Sequence, residues 1–132
     1  MTRLSHDTLQ HLGRGTPAVY LWSARLLPVM IAGQFLLAGQ ALFGGHSWEM
    51  HGTLGGLAAL PVIVLAAGAT AFRHLRGFGW WAALVAGLYI LQVLLGAGGP
   101  AALAFHPFNA ALLLTASLIL LFKVERRRSH HL

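Results

Sequence analysis

The stretch GFGWWAALVAGLYILQVLLGAGGPAALAFHPFNAALLLTASLILLF, residues 77–122, contains no Asp, Glu, Lys or Arg. Residues 26–72 show the same pattern, with Glu49 the one interruption. A soluble fold needs charge on its surface, whereas a chain whose outside faces hydrocarbon does not. Each stretch is long enough for two apolar helices of about 20 residues. The expected fold is therefore all-α: an integral membrane four-helix bundle, up-down-up-down, forming a single domain. Composition agrees, with 57% hydrophobic and 9% charged residues against about 25% charged in ordinary soluble domains.

Breaker-rich segments divide the apolar runs. GGHSWEM, RHLRG and GAGGP mark turns, which places helices at about 26–43, 51–72, 78–97 and 101–122. An amino-terminal segment, 1–25, precedes them, and a basic tail, 124–132, follows. In the fourth run Pro107 predicts a break or kink at His106–Pro107, because proline is tolerated in a first helical turn but not in an interior. Leu4, Leu9 and Leu12, with Tyr20 beyond them, suggest a short interfacial helix that Gly13, Gly15 and Pro17 end. The segment is not read as a secretory signal, since the apolar run after it opens a whole bundle.

All nine Lys and Arg residues fall in the amino-terminal segment, the 73–76 turn or the carboxy-terminal KVERRR. The 44–50 and 98–105 connections have none. The positive-inside rule then puts both termini and the middle turn in the cytoplasm. Trp22, Trp80 and Trp81 mark the inner interface and Trp48 the outer one. The net charge of +6 belongs to this topology and not to nucleic-acid binding, which wants a basic stripe along one face. The absence of Cys excludes disulfides, thiolate metal sites and covalently attached haem. Three acidic residues leave carboxylate acid–base chemistry almost without candidates, so no enzyme acting on soluble substrates is expected. With no charge at mid-membrane, ion-coupled transport is disfavoured as well.

Polar side chains inside a membrane segment are costly, so their depth is informative. Gln40, His51, Gln92, His106 and Asn109 all fall near the outer helix ends, while the inner halves offer hydroxyls and one deeper amide, Gln34. His51 opens the second helix and His106 the fourth, which are diagonal in a bundle with short loops. Helix spacings of roughly 8–10 Å give a diagonal of roughly 11–14 Å. A histidine holds a metal about 6 Å from its Cα, so two facing imidazoles suit one iron. Gly55, one turn after His51, would leave a flat surface for a macrocycle. Gln40, Gln92 and Asn109 would orient the rings or meet propionates. The expectation is a b-type haem near the outer face, ligated by His51 and His106 and serving electron transfer or haem handling.

Blander readings stand beside it. Either histidine alone reads as an interfacial residue, and the amides read equally as interhelical glue. The chain would then be a non-enzymatic accessory or scaffold subunit without cofactor. A closed zinc site wants four ligands, and only His46 and Glu49 lie nearby. His74 reads as a headgroup contact, and His130 and His131 as part of a disordered tail. Expected partners are the lipid bilayer, a quinone or redox partner, and further copies of the chain or a larger membrane complex. A weak repeat pairs QALFGG and His51 with QVLLGAGG and His106, matching Gln40 to Gln92.

At AGQALFGG, MHGTLGG and HPFNAALLL the sequence resembles, over about residues 26–123, a family of small bacterial four-helix membrane proteins with no established function. This implies a multi-pass protein of the bacterial cytoplasmic membrane. More distantly, His51 and His106 are similar in placement to the histidines of one four-helix half of the haem A synthase family. That resemblance implies a haem-holding architecture. Glu49 lies too close to His51 to match that family's glutamate, and the second half is missing, so synthase activity does not carry over.

Overall fold

In the computed structural model, which describes residues 7–131, every regular element is helical. Arg3, Leu4 and His6, part of the expected interfacial helix, lie outside the described residues. From Thr8 to Gly15 the chain forms turns and a short 3-10 helix, Leu12–Arg14, where an interfacial α-helix was expected. Helix α1 then runs over Ala18–Phe43, starting directly after Pro17. It begins well before Leu26, because a charged residue such as Arg25 does not stop a helix.

The second span comprises α2, Glu49–Leu57, and α3, Ala59–Ala71, separated at Ala58. Pro61 causes the interruption: it has no N–H to give to the Leu57 carbonyl. A 3-10 segment, Arg73–Phe78, leads into α4, Gly79–Ala97. Next come a single turn, α5, Pro100–Leu103, and α6, His106–His131. The break before His106 follows the sequence reading, with Pro107 in the first turn where its missing N–H is harmless. The far end differs: residues 124–131, read as a loose tail, are the last turns of α6, with His130 bonded to the Arg126 carbonyl at 2.8 Å.

Four helical spans, Ala18–Phe43, Glu49–Ala71, Arg73–Ala97 and His106–His130, are long and apolar enough to cross a membrane. Between 17% and 33% of each apolar window is buried inside the bundle, so most of its apolar surface faces outward. That is the inverse of a soluble bundle. Around the ring, α1 packs on α3 and α6, and α4 packs on the same two. The spans therefore form a square in which the second and fourth are diagonal.

The tight core occupies one end of this square. Buried apolar residues run from Tyr20 to Ile31 in α1, Ala58 to Ala69 around α3, Ala82 and Val85 in α4, and Leu113 to Val124 in α6. Tyr20 and Phe78 meet at 5.6 Å between ring centroids, and Gly68 leaves room for the Tyr20 ring. α2 buries no residue. The basic side chains gather at the packed end, where Arg25 and Arg128 both pair with Glu125 and Lys123 lies 5.6 Å over the Trp81 ring. Surface pairs of this kind contribute little.

Arg127 is different. It is 0% exposed. Its guanidinium donates to the carbonyls of Thr8 at 2.9 Å, Gln10 at 2.6 Å, His11 at 3.2 Å and Gly15 at 3.1 Å. The amino-terminal segment is thereby tied across the packed end, and its Asp7–Thr8 backbone lies against Gly77, where a Cβ would collide. His74, expected at the headgroups, is instead 7% exposed beneath this cover, with its ring 5.8 Å from Phe72.

Candidate functional site

At the other end the square stays open, because the residues facing inward there are small. A cavity of about 390 Å³ lies between the spans, within the range of small-molecule sites. α1 contributes Gln34, Phe35 and Ala38, and the second span His51, Gly52, Gly55 and Gly56. α4 contributes Tyr89, Gln92, Val93 and Gly96, and α6 His106, Pro107 and Ala110. The wall is almost entirely apolar apart from the two imidazoles, the two amides and one phenol.

The imidazoles of His51 and His106 face the same space with ring centroids 6.1 Å apart and planes at 60°. Two imidazoles bound on opposite sides of one metal, each about 2 Å from it, have centroids roughly 6.3 Å apart. The hydrogen bonds specify the free nitrogen. His51 Nδ1 donates to the Gln34 carbonyl at 3.2 Å, and His106 Nδ1 donates to the Gln92 carbonyl at 3.0 Å. A carbonyl oxygen only accepts, so each Nδ1 carries the proton and each Nε2 keeps its lone pair. Outer partners of this kind hold a ligating histidine in one orientation.

His106 is the more firmly held. Asn109, 3% exposed, donates to the Leu88 carbonyl at 3.0 Å and to Gln92 Oε1 at 2.8 Å. This clamps α6 to α4 beside the His106–Gln92 bond. Gly96 gives the ring its place, since a Cβ there would come within 3.2 Å of His106 Cε1. Replacing Asn109 with Ala leaves a buried carbonyl and a buried amide oxygen without that donor. The expected loss is about 1–3 kcal/mol, read as a lower melting temperature in detergent. An unchanged melting temperature would mean that the network contributes nothing to stability.

On the His51 side the arrangement is related but not equal. Tyr89 donates to the Gly55 carbonyl at 2.7 Å. Part of the flat surface expected at Gly55 is taken by the Gln34 amide, which lies directly against its Cα, while Gln34 Oε1 is buried without a hydrogen-bond partner. Gln40 stands apart. Its side chain is exposed outside the cavity wall, and its carbonyl accepts the Gly44 and His46 N–H groups. Among the sequence-selected residues, the structure thus brings together His51, His106, Gln92, Asn109 and Gly55, and leaves Gln40 out.

Gln34, not Gln40, stands toward His51 as Gln92 does toward His106: each offers its backbone carbonyl to a histidine Nδ1. Depth counted back from the helix end misleads here, because α1 continues nine residues beyond Gln34, about 13 Å at 1.5 Å per residue. The signal available in sequence was Gln34 itself, the deepest amide of its span. Trp48, assigned only to the interface, meets the His51 ring edge-on at 5.4 Å. Among the described residues no group of three or more His, Cys, Asp or Glu side chains gathers around one point, so a closed four-ligand zinc site is not formed.

Residues 34–98 match a family of unknown function, DUF6220. The match includes Gln34, His51 and Gln92 and stops before His106. It agrees with the expected likeness to an uncharacterised family and brings no link to haem A synthases. No curated protein and no solved structure matches the chain.

Proposed function

We propose that this protein binds b-type haem between His51 and His106 and serves electron transfer or haem handling in the bacterial cytoplasmic membrane. The observation that carries the reading is the 6.1 Å centroid separation of two imidazoles, each with Nδ1 turned to a backbone carbonyl. Bound there, the iron supplies one-electron exchange. The chain's own part is to fix both rings, keep bulk water from the apolar wall, and leave room between Ala38 on α1 and Gly96 on α4 for a flat group. With two histidines engaged, electron transfer is favoured over oxygen chemistry. Gln92 and Asn109 act as positioning residues for His106.

The basic end is assigned to the cytoplasm by the positive-inside rule, which puts the histidine end near the outer face. A quinone or a membrane-bound redox protein is the natural partner class, and outward-facing glycines such as Gly39 favour association with a second copy or a larger complex. The protein purified from a haem-supplied host is expected to show a Soret band. His51→Ala and His106→Ala are each expected to shift or abolish it while helix content by circular dichroism is kept. A colourless wild-type protein, or a band indifferent to both substitutions, overturns the proposal.

A scaffold without cofactor is the second reading, favoured by the Asn109 network, which cements α4 to α6 whether or not anything is bound. It predicts a colourless protein in which His51→Ala costs only thermal stability.

A further inference from the structure

Resting on the haem reading, we infer that the two histidines are unequal: His106 is the permanent anchor, and His51 is an exchangeable ligand that yields its side of the cavity to a small neutral molecule of the carbon monoxide class. Four observations converge on this. His106 begins an unbroken helix of 26 residues that packs along both α1 and α4. Its Nδ1 acceptor belongs to Gln92, which the buried Asn109 clamps from the same helix.

His51 lies in a nine-residue helix that buries no side chain. That helix is cut from α3 at Ala58, where Pro61 withholds a hydrogen bond, and it carries Gly52, Gly55 and Gly56, which weaken a helix interior. On its other side the Gly44–Ser47 connection is irregular, with Gly45 at φ 71°. The short helix thus has a joint at each end and little buried surface, and the Tyr89–Gly55 hydrogen bond ties it to α4 beyond the His51 turn. His51 Nδ1 donates to the carbonyl of Gln34, a residue whose own amide oxygen lacks a partner. When the His51 ring swings out, the face it leaves is lined by Gly55 and Ala58. That face offers small residues and the neutral Gln34 amide against Gly55, suited to a neutral diatomic and unsuited to a charged ligand. The exchange forms and breaks only coordination bonds, and no electron need be transferred.

The test uses the full chain in detergent, loaded with haem and chemically reduced, with carbon monoxide as the probe. Carbon monoxide is expected to shift the Soret band of the wild type slowly and that of His51→Ala roughly tenfold faster or more, the scale on which losing a ligand-side contact acts. His106→Ala is expected to lose haem during purification and to regain the band when imidazole is added, with helix content unchanged. Pro61→Ala, which restores the missing hydrogen bond while leaving His51 in place, is expected to slow the wild-type shift at equal haem content. Reversed roles for the two histidines, equal rates in wild type and His51→Ala, or refusal of carbon monoxide by both would overturn the inference while leaving the haem reading intact. Absence of any Soret band in the wild type overturns both.

Discussion

Arg127→Ala is expected to release the amino-terminal segment and to cost on the order of 3 kcal/mol, the upper end for a hydrogen bond made by a charged group. The guanidinium is fully buried and satisfies four carbonyls between Thr8 and Gly15. Each is a charge-assisted bond, stronger than a neutral one, and alanine supplies no replacement donor. The Asp7–Thr8 backbone lies against Gly77, so the 73–78 turn would meet water once the cover lifts. Thermal unfolding in detergent measures the loss, and limited proteolysis between residues 7 and 15 reports the release. Arg127→Lys is expected to recover only part of it, because one ammonium cannot reproduce the planar fork that reaches four acceptors. A variant with wild-type melting and intact protease resistance would show that the segment is held by other means.

Filling the cavity is expected to separate binding from folding. Ala110 follows His106 by one turn and lines the wall, so Ala110→Phe projects a ring into the space assigned to the cofactor. The expected outcome is loss of the Soret band with helix content retained. The cofactor-free protein is expected to gain about 1–2 kcal/mol from packing contacts that fill the empty space. A gain in stability accompanying a loss of function is the usual signature of a site kept open at a cost. If Ala110→Phe retains haem like the wild type, this cavity is not where haem sits. The pair of predictions is complementary: Arg127 holds the packed end shut, whereas the small residues at the histidine end keep it open.

Much of the architecture was legible in residue order alone. Two long stretches, one charge-free and one broken by Glu49 alone, call for apolar helices that satisfy their own backbone groups, and GGHSWEM, RHLRG and GAGGP locate the turns. His51 and His106 could be paired from sequence because both open helices that alternate in a short-loop bundle. Their separation could not be read in advance to better than the span of a bundle diagonal.

What sequence determined by itself is the apolar character, the number of spans, the charge asymmetry between ends, and the two histidines at one level, all of which follow from local composition and periodicity. Tertiary structure alone decided that Gln34 and not Gln40 supplies the carbonyl bonded to His51, that Arg127 is a buried clasp and not part of a loose tail, and that the second span is jointed beneath His51. Each of these depends on which atoms from distant parts of the chain arrive at one place. Hydropathy carries no record of that, because a guanidinium bonded to carbonyls 112 to 119 residues earlier has the same composition as one in solvent.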